Sequence, residues 1–130
     1  MYKIDRCHNF FSMYMIGPMF TALHTIFEQQ YQKLALAVDE TAEQIRALGK
    51  LAPGSYSRFA ESTQIDEETG APDAENMIRQ MVLEQEAAVR TAREVFPVTE
   101  QATDEPTANL LTNRMQTHEI TARVLRGLLQ

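Results

Sequence analysis

One run of thirty-three residues, Gly17 to Gly49, limits what this chain can fold into: GPMFTALHTIFEQQYQKLALAVDETAEQIRALG. Pro18 suits a first helical turn, where a missing N–H costs little, and Gly49 suits the left-handed residue just past a helix end. Between them Leu23, Phe27, Tyr31, Leu34, Val38, Ile45 and Leu48 recur at steps of three, four and seven. At about 100° per residue they share one stripe, so the run is one helix and the stripe faces a core.

The same helix carries four potential metal ligands, His24, Glu28, Asp39 and Glu43. On a helical wheel they span an arc of about 100°, centred about 120° from the middle of the apolar stripe. They therefore point away from the chain's own core. His24 and Asp39 lie fifteen positions apart, about 22 Å along the axis, so one ion cannot touch both within one chain. A second copy packed antiparallel across a two-fold axis near Lys33 puts His24 and Glu28 of one copy opposite Asp39 and Glu43 of the other. The spacing predicts a site shared between subunits. Asp39 and Glu43, at i and i+4, can grip a hard or borderline cation together, and His24 adds the nitrogen that iron or zinc prefers. Acidic pairs at this spacing are more often solvated surface, so the pair means little without the partner chain.

The rest of the chain reads as helix too. Ala, Leu, Met, Glu and Gln dominate, while the five Gly and five Pro fall nearly all at segment boundaries, which predicts an all-α protein. Its 130 residues suit one domain over 1–130. Ile4, Cys7, Phe11 and Met15 predict a first helix over 2–16, apolar on more than one side and so expected to meet another subunit. After Gly49, Pro53-Gly54-Ser55 marks a turn and SYSRFAES a short helix anchored by Tyr56 and Phe59; Thr63 to Pro72 reads as an ordered loop. Asp73 is a fitting N-cap for a helix carrying Met77, Met81, Ala88, Ala92 and Val95 to Phe96, where Pro97 is expected to end it. Past a break at TEQATDEP, Thr103 or Asp104 caps a last helix with Pro106 in its first turn and a stripe of Leu111, Met115, His118, Ala122, Leu125 and Leu129. The expectation is a four-helix bundle with a short extra helix in a long connection between helices two and three.

Charge and motifs exclude several functions. The formal net charge is −6 and no run of Lys or Arg occurs, an unfavourable field for nucleic acid and a favourable one for metal cations. No apolar run approaches the length needed to cross a bilayer, and the N-terminus lacks the order of a signal peptide, so the protein is expected to be soluble and cytoplasmic, without a membrane partner. Cys7 is the single cysteine, which excludes an internal disulfide and fits a reducing compartment. His118 stands in HEITA, without the second histidine of a helical zinc protease, and on the apolar stripe it reads as a hydrogen-bonded core residue. The seven methionines lie mostly at core spacing and read as packing. No glycine-rich phosphate loop, paired-cysteine motif or nucleophile elbow is present in the sequence.

GP-x-F-x-x-LH-x-x-FE and VDE-x-AE-x-I-x-x-LG, followed by LAPGSYSRFAE, ETGAPDAENMIRQ and TANLLTNRMQTHEITARVL, closely resemble the Dps proteins, the starvation-induced mini-ferritins, from about Gly17 to the C-terminus. The resemblance implies a ferritin-like four-helix subunit and a hollow dodecamer built on two-fold dimers. It implies oxidation of Fe(II) by hydrogen peroxide, a ferroxidase activity, with ferric iron stored inside and protection against oxidative stress. Asp39 and Glu43 match the family's carboxylate ligands, His24 the histidine given by the partner chain, and Glu28 a position where many members have an acidic residue. Asp104 and Glu105, at the start of the last helix, are candidate pore residues only because family pores tend to be acidic there. The chain departs from the family before the long helix: where members carry FHWNVTGP it reads FSMYMIGP, so Ser12 and Met13 replace histidine and tryptophan. The first helix is also expected to be several turns short. His8 stands one turn before Ser12, an axial offset of about 6 Å that does not replace the lost ligand. Two further readings follow: a cage-forming or structural member with impaired oxidation, and a DNA-compacting protein, the latter opposed by the acidic charge and the lack of a lysine-rich tail.

Overall fold

The computed structural model describes residues 17, 19–63 and 73–130. They contain four α-helices and no strand: α1 Phe20–Ala47, α2 Tyr56–Glu61, α3 Ala74–Gln101 and α4 Glu105–Gly127. The expected first helix over 2–16 lies outside the described residues, as do Ser12, Pro18 and all but Thr63 of the loop expected from Thr63 to Pro72. The chain forms two compact units, Met1–Met77 and Ile78–Gln130. Among the described residues no helix is long and apolar enough to cross a membrane.

The first unit is organised on α1, whose 28 residues span about 42 Å. Leu23, Phe27, Leu34 and Ala37 are buried on its core stripe, and Tyr31, Val38 and Ile45 are half-buried. Leu48, expected on that stripe, is the C-cap residue and is 52% exposed; the stripe loses its lever arm once the helical turn ends. Gly49 has φ +77, the left-handed conformation that a residue without Cβ adopts at little cost. Its N–H donates to the Arg46 carbonyl at 3.0 Å, and the Lys50 N–H to that of Ile45 at 3.1 Å. Those two bonds are the Schellman pattern, which satisfies carbonyls the helix end would otherwise leave open. α2 follows with Phe59 half-buried.

α3 begins in the last residues of the first unit, Ala74 to Met77, and continues through the second, where it is longer than α4. Asp73, just ahead of the unit boundary, caps the helix as expected: its Oδ1 accepts from the Asn76 N–H at 2.8 Å, and Glu75 lies in the first turn. Met77, Met81 and Ala92 are buried as the spacing predicts, and Ile78, Val82 and Val89 join them. Val95 does not; it is 44% exposed.

Pro97 does not end the helix, which runs through it to Gln101. Proline removes the N–H that would have met the Arg93 carbonyl, but Pro97 and Arg93 are both exposed, so water can take that carbonyl's bond. The turn beyond is held independently. Thr99 is buried and its hydroxyl donates to the Phe96 carbonyl at 2.7 Å. The Thr103 N–H donates to the Glu100 carbonyl at 3.1 Å and the Asp104 N–H to that of Thr99 at 2.9 Å, a second Schellman end, with Thr103 at φ 55 in the left-handed place. Asp104 then caps α4: its Oδ1 accepts from the Thr107 N–H at 3.2 Å and its Oδ2 from the Thr107 hydroxyl at 2.5 Å. Pro106 falls in the first turn, where its missing N–H is harmless. His118, Ala122 and Leu125 form the buried stripe of α4, with Leu111, Met115 and Leu129 half-buried beside it.

Candidate metal centre on the outer face of the long helix

The four candidate ligands of α1 lie where the wheel puts them, off the core stripe. His24 and Glu28 are half-buried; Asp39 and Glu43 are exposed. Thr21, Thr25, Gln32, Ala35 and Leu36 are exposed on the same side of the helix. Leu36, at 65% exposure, sets an apolar side chain near the middle of that polar face. Between Phe20 and Ala47 the helix carries four carboxylates against two cations, Lys33 and Arg46, so the local field attracts cations.

The ligands are also placed symmetrically along the axis. His24 and Glu43 are equidistant from the midpoint between Lys33 and Leu34, and so are Glu28 and Asp39. A two-fold axis through that midpoint, with helices antiparallel, would bring the four residues together as two equivalent sites, each with ligands from both chains. A single chain cannot do this. Among the described residues no group of three or more His, Cys, Asp or Glu side chains converges to hold a metal ion. The donor set suits iron: carboxylate oxygens for the harder ferric ion and one imidazole for the ferrous ion.

A buried polar group in the second unit was only partly visible in sequence. His118 is 2% exposed and its Nδ1 lies 2.6 Å from Gln85 Oε1, the satisfied core histidine that its place on the stripe predicts. Glu84 and Gln85 are each 1% exposed, and Gln80 Nε2 donates to Glu84 Oε1 at 3.1 Å. The run LEQEA looks like a solvated acidic face. The signal that marks it as buried is the stripe itself, since the step from Met81 to Ala88 passes through 84 and 85. Exposed ion pairs Arg93–Glu119 and Arg126–Glu86 flank this interior on the surface of α3 and α4; at that exposure they contribute little. Asp104, a candidate pore residue, spends both carboxylate oxygens on the α4 cap, while Glu105 is exposed.

Comparison with known proteins bears on this fold directly. The ferritin family model, a ferritin-like domain, matches residues 5–130. A low temperature-induced protein of Nostoc sp. is 33% identical over 118 residues, covering 89% of this chain; the chain spans 66% of that relative's length, just under two thirds. DNA protection during starvation protein 2 of Bacillus anthracis is 30% identical over 124 residues, 95% of this chain and 84% of that protein. Among solved structures, Dps from Thermosynechococcus elongatus superposes with a TM-score of 0.95 at 22% identity, covering 99% of this chain and 82% of that one. The Dps protein of Vibrio cholerae O1, described as a member of a broad superfamily of ferritin-like diiron-carboxylate proteins, gives 0.85 at 24% identity, covering 98% and 85%. These likenesses make the fold a ferritin-like four-helix bundle, and with a family model over nearly the whole chain and a starvation-protection relative over 95% of it, the chain belongs to the Dps family of ferritin-like proteins.

Proposed function

We propose that this protein binds Fe(II) at a site between two subunits, oxidises it with hydrogen peroxide and stores the ferric product inside a hollow cage, a dodecamer built on two-fold dimers in the cytoplasm. Each subunit is one ferritin-like domain over residues 1–130. Asp39 and Glu43 of one subunit and the partner subunit's His24 and Glu28 hold the iron. The observation that carries this reading is the arc of α1 off the core stripe, which carries all four donors in an arrangement that repeats under a two-fold axis. The diiron-carboxylate description of the Vibrio cholerae relative and the starvation-protection name of the Bacillus anthracis relative support the same assignment.

The chemistry follows from the donors. Two ferrous ions each give one electron to a peroxide molecule, its O–O bond breaks, and two protons complete two waters. Carboxylates hold the ferric ion more tightly than the ferrous one, so Asp39 and Glu43 lower the barrier to electron loss. His24 keeps a nitrogen on the ferrous ion as it arrives. Enclosure then keeps iron and peroxide apart from other molecules.

Ser12 favours a second reading. It stands where the family carries a histidine, so the site has one imidazole fewer, and a cage with impaired oxidation is the outcome if the remaining donors are too few. DNA compaction ranks last, because a net charge of −6 opposes the phosphate contacts it needs. Anaerobic loading with Fe(II), then peroxide, separates the first two. Ferric absorbance develops in the unmodified protein and is lost in Asp39→Ala and Glu43→Ala; an equal rate in both variants refutes the site, and no absorbance in any of the three selects the impaired cage.

A further inference from the structure

We propose that two oppositely charged corners of this chain, one at the end of α1 and one where α3 gives way to α4, dock on each other between neighbouring copies; the inference rests on the cage reading above and names its second contact. Charge is unevenly spread along the chain. Over 44–60 there are three cations, Arg46, Lys50 and Arg58, and no carboxylate. Over 94–113 there are four carboxylates, Glu94, Glu100, Asp104 and Glu105, and no cation. All but Asp104, which caps α4, are exposed, and among the described residues none of those six exposed side chains is in an ion pair.

Each corner also carries apolar surface. Leu48 and Leu51 are 52% and 79% exposed beside the cations, and Val95 and Val98 are 44% and 61% exposed beside Glu94. Val98 lies four residues after Glu94 and three after Val95, so the three share one side of α3. Hydrogen-bonded helix ends hold both corners in shape, through Gly49 and Lys50 in one and Thr103 and Asp104 in the other, so little ordering is lost on contact. An isologous two-fold contact uses one patch on both copies and stops at a dimer. Growth from dimer to cage needs a heterologous contact, in which two different patches of each chain meet those of its neighbours. Opposite charge selects the pairing of unlike corners and rejects that of like corners, while the four aliphatic side chains leave water together. A polyanion or an anionic lipid surface would meet the cationic corner alone and leave Val95 and Val98 in solvent.

The test is sedimentation velocity of the full chain and of three charge variants, each checked for helix content by circular dichroism: Lys50→Glu with Arg58→Glu, Glu94→Lys with Glu100→Lys, and all four together. Either pair alone sets like charges against each other and lowers the association constant between dimers about a hundredfold or more. The four together restore complementarity with the signs exchanged, and the large assembly returns. Leu51→Ser, at an exposed loop position, lowers the same constant about tenfold without altering charge, and reads the contact if a charge variant does not fold. Assembly unchanged in both charge pairs or in Leu51→Ser, or a fourfold variant that folds and stays dimeric, overturns the contact while the cage reading stands. An unmodified chain that sediments as a monomer overturns both.

Discussion

At the scale of the residue, the second unit depends on a polar contact in an apolar setting. His118 Nδ1 and Gln85 Oε1 meet at 2.6 Å with both residues at 2% exposure or less. A hydrogen bond there adds little net stability, but breaking it strands a buried polar atom. Gln85→Leu is therefore expected to destabilise the fold by about 1–3 kcal/mol, measured as a lowered urea midpoint at unchanged slope. His118→Leu combined with Gln85→Leu recovers part of that loss, because neither partner is then left behind. A double-mutant cycle with strictly additive losses would show that the contact is incidental. His118 was legible from its stripe; Gln85 was not, since a lone amide between two glutamates carries no apolar signal of its own.

At the scale of the element, helix ends explain what could and could not be read in advance. Gly49 announces the end of α1 because glycine is the residue suited to φ +77. The end of α3 gives no such notice: the left-handed place is taken by Thr103 at φ 55, a β-branched residue that fits it poorly. Thr103→Gly should stabilise the protein by roughly 0.5–1 kcal/mol, the left-handed cost removed less the extra chain entropy of glycine, and a lowered urea midpoint would contradict this. Pro97 misled for a related reason. A proline inside a periodic run is the strongest stop signal in sequence, yet the carbonyl it frees lies at an exposed turn, and Thr99, buried four residues before Thr103, anchors the helix past it. Core positions of α1 and α3 were legible because burial follows a 3.6-residue period. Of the positions that escaped, Leu48 is the C-cap of α1, where the stripe runs out over solvent, whereas Val95 is exposed within α3 although Thr99, one turn further on, is buried.

At the scale of the whole molecule, the proposed iron site is one that no single chain can build. His24 and Asp39 are fifteen residues apart on one helix, so the iron reading requires assembly, while assembly does not require the iron reading. The spacing alone predicts this sharing, because a helix converts residue number into distance; pairing across a partner subunit adds no signal to one chain's own pattern. The most direct measurement is subunit complementation. His24→Ala and Asp39→Ala proteins are prepared separately, then co-assembled and loaded anaerobically with Fe(II), and ferric absorbance after peroxide is compared. Each variant alone lacks a ligand in every site and is inactive. In a mixed two-fold pair one site receives both intact ligands and the other neither, so random co-assembly restores about a quarter of the unmodified signal. A mixture as inactive as its components would contradict the shared site, and with it the central claim.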